Sequence, residues 1–152
     1  MSALLSSDIK IVSVILTKCN IIKTKVLANE AKLKVNTFHS LKIVVKEEAY
    51  SIAYNVKVHE VLDENSVKKE ILICDIIGRI DFKIKELTKH LNIEKGKIKN
   101  INSNLAITLI SIGYSTLRGI VLSRTCGILE TGIILPVVEP TTLMENRITA
   151  GK

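Results

Sequence analysis

From Ile9 to Cys19 the chain reads I-K-I-V-S-V-I-L-T-K-C, β-branched and partly alternating, with an apolar patch that suits a strand covered in part on both faces. A second strand is predicted from Ala31 to Val45. There Leu33 and Val35 alternate with lysines, and the period breaks at His39-Ser40 before L-K-I-V-V, a break that a bulge would explain. The clearest two-residue period runs from Tyr50 to Leu62. Tyr50, Ile52, Tyr54, Val56 and Val58 share one face, and Ser51, Ala53, Asn55, Lys57 and His59 the other. The polar cluster Asp63-Glu64-Asn65-Ser66 precedes K-K-E-I-L-I-C-D-I-I-G-R-I-D-F, so the third and fourth strands are predicted to form a hairpin.

After Asp81 the period lengthens. Ile84, Leu87 and Leu91, with Lys85, Glu86, Lys89 and His90 between them, predict a short amphipathic helix ending near Asn92. The Lys-rich stretch Glu94 to Asn100, with Gly96, reads as an exposed connection. Asn102, Ser103 or Asn104 can cap a helix from Leu105 to about Cys126, and Gly127 can end it. Thr108, Ser111, Ser115, Arg118 and Leu122 form its one semi-polar stripe. A single sheet covers one side of such a helix. Its remaining apolar sides, with small Ala106, Gly113 and Gly119, point to packing against another helix, as from a second subunit. Leu105, Leu109, Ile112, Gly113, Leu117 and Gly119 are the candidate interface residues. The chain closes with I-I-L-P-V-V-E-P, an extended segment stopped by Pro136 and Pro140, and a short tail to Lys152. The expected fold is α+β: a four-stranded antiparallel sheet followed by a short and a long helix, with residues 1–152 in a single domain.

Composition sharpens this picture. Of 152 residues 47% are hydrophobic and only 3% aromatic, so the core must be aliphatic; Phe38, Tyr50, Tyr54, Phe82 and Tyr114 are the only aromatics, too few for a broad base-stacking platform. The formal charge is +7, which favours acidic partners without naming one. Cys19, Cys74 and Cys126 are about fifty residues apart and lack C-x-x-C or metal-ligand spacing. With no signal peptide across Met1 to Lys10, a reducing cytoplasm is the expected compartment. The uncharged run Ile101 to Leu117 is too short and too polar to be read as a membrane span.

Sites of chemistry are sparse. His39, His59 and His90 lack a second ligand at helical spacing, and His59-Glu60 lies on a strand whose neighbours point to opposite faces, so no metal is expected. The seven glycines are dispersed, without a phosphate-cradling loop. Gly113-Tyr114-Ser115 begins like a nucleophile elbow, but Leu117 replaces the second glycine and the site falls within a helix. Neither a cofactor nor an enzymatic role is expected. The basic run Arg79, Lys83, Lys85, Lys89, Lys95, Lys97, Lys99 is the best candidate for phosphate contacts, and it supports an alternative reading as a basic interaction module for nucleic acid or an acidic protein.

Tyr114-Ser-Thr-Leu-Arg-Gly-Ile-Val-Leu-Ser-Arg124 followed by Ile133-Ile-Leu-Pro-Val-Val-Glu-Pro140 resembles the SecB family of protein-export chaperones. In that family a helix carrying a Tyr and an Arg ends at a Ser-Arg-like pair, followed by a Leu-x-Pro-Val/Ile segment and a terminal helix. Ser123-Arg124 and Leu135-Pro136-Val137-Val138 match in type and order, and the specific likeness covers about 104–144. The resemblance implies a cytoplasmic homotetramer whose helices pack between subunits. It implies an ATP-independent holdase that takes extended segments of non-native polypeptides into apolar grooves, in protein export with the motor SecA or, as in some members, as an escort of antitoxins. Typical members meet SecA with an acidic sheet face, whereas this chain is basic. The candidate client-contacting residues are Phe38, Tyr50, Tyr54, Ile133, Ile134 and Leu135.

Overall fold

A computed structural model describes residues 8–22, 32–64, 67–129 and 132–145. Four long strands, β1 (Ile9–Ile21), β2 (Lys32–Val44), β3 (Ala49–Glu64) and β4 (Val67–Ile84), form one antiparallel sheet in the order β1-β4-β3-β2. The hairpin expected between the third and fourth strands is present, and β1 pairs with β4 instead of its sequence neighbour. The strand expected from Ala31 begins at Lys32; Ala31, Asn65 and Ser66 of the predicted turn, and the tail beyond 145 lie outside the described residues. β2 has an unbroken register with β3, so it contains no bulge. Irregularities fall on β1, between Ile11 and Ser13 and between Leu16 and Lys18, and between Val58 and His59 of β3.

Alternation fixes two unlike faces. Tyr50, Ile52, Tyr54, Val56 and Val58 of β3 and Ile76, Ile80, Phe82 and Ile84 of β4 point inward and are buried. Lysines, serines and aspartates dominate the outer face. On the inner face lies α1 (Ser103–Thr125), started by Asn102, whose side-chain oxygen accepts from the backbone N–H groups of Asn104 at 2.9 Å and Leu105 at 3.2 Å. Those two donors lack helical partners of their own. The helix is long and apolar enough to cross a membrane, but Leu105, Leu109, Leu117 and Val121 are buried in the sheet-backed core.

One cross-strand pair seats this helix. Tyr54 on β3 faces Gly78 on β4. The Tyr54 hydroxyl donates to the Ile110 carbonyl at 2.9 Å and fills the space where a Cβ on Gly113 would stand, 2.7 Å from that oxygen. Beside it, a Cβ on Gly78 would lie 3.3 Å from Leu117 Cδ1. A large side chain thus rises from β3 into a notch in the helix, while a leucine descends from the helix onto a bare spot of β4. Burial first, then the neighbouring Tyr50 and Tyr114 phenols, hold the Tyr54 phenol far above its ordinary pKa, so it stays a neutral donor.

The region between sheet and helix differs from expectation. The short helix predicted over Ile84 to Asn92 is absent: Ile84 ends β4, opposite Ile9 of β1, and only a 3-10 turn, Leu87–His90, follows. Ile84 satisfies both a strand and a helix period, and pairing with β1 decides it. Glu86, at φ 55, breaks the chain between them. The stretch Glu94 to Asn100 is a hairpin and not an open connection, with β5 (Leu91–Glu94) paired to β6 (Lys97–Ile101). Lys95 and Gly96 both have positive φ, 49 and 76, as a two-residue type I′ turn requires.

The seat yields a double-mutant test. Gly113→Ala is expected to cost about 1–3 kcal/mol in urea unfolding, as overpacking does. In a Tyr54→Phe background, which removes the closest atom, the same substitution should cost measurably less. Equal costs in the two backgrounds would show that Tyr54 does not set the helix height.

Candidate functional site

The Tyr54–Gly78 seat places α1 over β3 and β4 and leaves β1 at the open margin. On the inner side of β1, Ile11 and Val14 stay exposed and Leu16 half-buried. A groove of about 420 Å³ separates this row from the flank of α1, with Val14 and Leu16 on one wall and Thr116, Gly119 and Ile120 on the other. Val12, 60% exposed, and Ile15 project to the other side of the same strand. Because β1 is an edge, one margin of its backbone has no partner strand among the described residues. An edge strand with apolar side chains on both faces is a template for another chain.

The opposite flank of α1 is closed by the C-terminal segment. Thr125, fully buried, donates to the Val121 carbonyl at 2.8 Å and accepts from the Ile133 N–H at 2.7 Å. Arg118 Nε donates to the Leu135 carbonyl at 3.0 Å, and the Tyr114 hydroxyl to the Pro136 carbonyl at 3.0 Å. These three side chains, spaced along the helix, hold residues 133–136 extended against it. Ile133 and Leu135 turn inward and are buried, whereas Ile134 is 69% and Val137 84% exposed. Helix α2 (Pro140–Glu145) then packs Leu143 into the core. Among the described residues two aliphatic surfaces therefore flank α1, the β1–α1 groove and the outer row of the C-terminal segment.

The residues picked from sequence scatter over these surfaces. Tyr50, Tyr54, Ile133 and Leu135 are core residues of the chain itself, so none is free to contact a client; Phe38 is exposed on the outer sheet face and Ile134 on the C-terminal segment, and the two are not brought together. Among the interface candidates, Leu105, Leu109 and Leu117 pack into the chain's own core, and Gly113 accommodates Tyr54 and not a second helix. Ile112 is half-buried and Gly119 exposed, with nothing within 4 Å of where its Cβ would stand. The apolar girth of α1 is covered by the sheet on one side and by residues 133–135 on another. Missing from the sequence reading were Ile11, Val14 and Ile120, whose accessibility depends on where the helix sits.

The basic run from Arg79 to Lys99 is dispersed and does not line one groove. Of the basic run, Arg79 and Lys83 lie on the outer sheet face, Lys89 pairs with Glu86 at 2.7 Å beside the 3-10 turn, and Lys95, Lys97 and Lys99 lie on the β5–β6 hairpin, where Lys99 pairs with Glu94 at 2.9 Å. Burial works to raise the Asp81 carboxyl, but hydrogen bonds from Ser13 and Ser51 and the Arg79 guanidinium outweigh it and hold it below the ordinary aspartate range. Cys74 is buried, its thiol pushed up to about 11 chiefly by that burial, and Cys19 and Cys126 are exposed. Among the described residues no cluster of His, Cys, Asp and Glu could hold a metal ion.

A long helix lying across a four-stranded antiparallel sheet, followed by an extended segment and a short helix, is a SecB-like α+β fold. The Mycobacterium tuberculosis Rv1957 SecB-like chaperone, solved in complex with a ChAD peptide from the Rv1956 HigA1 antitoxin, matches with a TM-score of 0.56 over 88% of this chain and 92% of that one, at 11% sequence identity. At that identity the likeness is one of fold. A protein of unknown function from Streptococcus agalactiae, 13% identical over 85% of this chain and 97% of that one, gives a TM-score of 0.34, too low to carry an argument. No family model and no curated protein sequence matches the chain.

Thr125 tests the closure of α1 by the C-terminal segment. Thr125→Val keeps the shape and removes the hydroxyl, leaving the buried Ile133 N–H without its acceptor. About 1–3 kcal/mol of stability is expected to be lost, with faster hydrogen exchange at the Ile133 amide than at helix amides. An unchanged Ile133 exchange rate would contradict this role.

Proposed function

We propose that this chain is an ATP-independent holdase chaperone that binds extended segments of non-native polypeptides, and that it works as a cytoplasmic homo-oligomer of single-domain subunits. The observation that carries the reading is that two aliphatic surfaces stay open among the described residues, the row on edge strand β1 and the C-terminal segment with Ile134 and Val137. The SecB-like fold supports it.

Magnitudes assign the two aliphatic surfaces. Covering an aliphatic side chain fully is worth about 1.5–3 kcal/mol, and association costs roughly 4–15 kcal/mol in lost freedom. The β1 row alone does not secure a stable contact, but the row together with backbone pairing along the edge and the adjoining α1 groove does. A second copy, which brings the same strand and groove, supplies all three. The outer row of the C-terminal segment, with Ile134 and Val137, is narrower and suits weaker, exchangeable binding of a client. Affinity there is aliphatic, since the chain's tyrosines are spent on the core.

Escort of an antitoxin is the second reading, favoured by the antitoxin peptide bound to the structural neighbour; export with SecA is the third. In either case the client surface is the same.

The wild-type protein at micromolar concentration is expected to run as a dimer or tetramer by light scattering and to suppress aggregation of a reduced, denatured client without ATP at about a few-fold molar excess. Val14→Lys should yield monomer. Ile134→Lys should keep the assembly and lose most of the suppression. A wild-type monomer would overturn the assembly, and undiminished suppression by Ile134→Lys would overturn the client surface.

A further inference from the structure

The outer face of the sheet carries a second site, independent of the aliphatic surfaces. Side chains cross this face in rungs fixed by the strand register. In one rung Lys10 of β1 stands directly opposite Lys83 of β4, and the next outward-facing rung runs Ser13, Asp81, Ser51, Lys42 across all four strands. Ile15, Arg79, Ala53 and Ser40 form the third. Because Ser40, Ser51 and Ala53 are small, the middle of the face sinks into a hollow of about 570 Å³, walled by Val12, Lys42, Arg79 and Lys83, with Glu47 at its rim.

Two features of this hollow call for an anion. Like charges directly opposite one another on neighbouring strands are destabilising, yet Lys10 and Lys83 are so placed. Among the described residues no carboxylate lies within ion-pair distance of Lys10, Lys42 or Lys83. Asp81 is engaged by Ser13, Ser51 and Arg79. Elsewhere on this face Lys18 pairs with Asp75 and Lys34 with Glu70.

We propose that the outer-face hollow walled by Lys42 and Lys83, with Lys10 next to Lys83 on the neighbouring strand, is a docking site for an acidic, extended polypeptide segment in which carboxylates alternate with small or apolar residues. The volume takes several side chains and is far larger than a lone phosphate needs. Same-face side chains recur about every 6.6–6.8 Å along a strand, the spacing at which an extended peptide presents its own alternate residues. Val12 and Ala53 offer apolar contact between the cations. Nucleic acid is a poorer fit: the one guanidinium at the hollow is tied to Asp81, leaving no free Arg fork for a phosphate, and Phe38 is the only aromatic among the outward-facing residues of the four strands.

Fluorescence polarisation with a labelled Glu-Ala repeat peptide tests the proposal, with a Lys-Ala repeat, inorganic phosphate and a short DNA duplex as competitors. Saturable binding of the acidic peptide is expected, weakened by salt, resistant to phosphate and reduced at least tenfold in Lys42→Glu/Lys83→Glu. Lys83→Gln alone is expected to raise the melting temperature of the free protein while weakening the peptide, because it relieves the repulsion from Lys10. Client suppression should be unaffected by either variant, which separates failure here from failure of the holdase reading. Peptide affinity unchanged by both variants, displacement by phosphate alone, or tighter binding of the duplex lost in the same variants would each overturn the proposal.

Discussion

The seating of α1 on the Tyr54–Gly78 pair is the constraint from which the remaining surfaces follow. A tyrosine that fills the notch at Gly113 and a leucine that rests on Gly78 fix both the height and the lateral position of the helix. Close-packed interiors leave little freedom to slide, since even one methylene of misfit is felt. With its axis held over the two central strands, the helix covers β3 and β4 and meets the C-terminal segment on one flank. It does not reach across β1. The groove beside β1 is thus a consequence of the same contact that builds the core.

Residues 133–136 close the other flank by a device of their own. Thr125, Arg118 and Tyr114 each hydrogen-bond the backbone of that segment, so its alternation is dictated by the helix and not by a neighbouring strand. Ile133 and Leu135 complete the core, and Ile134 is displayed as a by-product. Pro136 supplies an extended residue with no amide to satisfy. Aliphatic excess in the composition therefore has two destinations: a core without many aromatics, and an exposed remainder on β1 and on the C-terminal row.

The parts of this fold written in alternation were legible in the sequence. Tyr50 to Val58 and the turn before β4 gave strand, face and hairpin together, and Asn102 gave the start of α1. Ile84 misled because its spacing fits two periods, and only its partner Ile9 decides between them. Lys95-Gly96 between Ile93 and Ile98 was a turn signal hidden in a lysine-rich stretch. Site residues were harder to read. Tyr50 and Tyr54 look like client contacts by residue type, yet strand parity and the helix bury them. Gly113 looks like a helix-helix contact, yet it accommodates a side chain of its own sheet. Exposure of Ile11 and Val14 depends on the lateral position of a helix ninety residues away, which no local pattern encodes.

Taken together, the chain couples a SecB-like fold to aliphatic surfaces and a basic outer face. Hydrogen exchange along β1 tests the central claim, that the uncovered edge is completed by a second copy. At high protein concentration the amides of 11–16 that face away from β4 are expected to exchange slowly, and to become fast on dilution below the assembly range while β3 and β4 stay protected. Fast exchange at both concentrations would contradict the account.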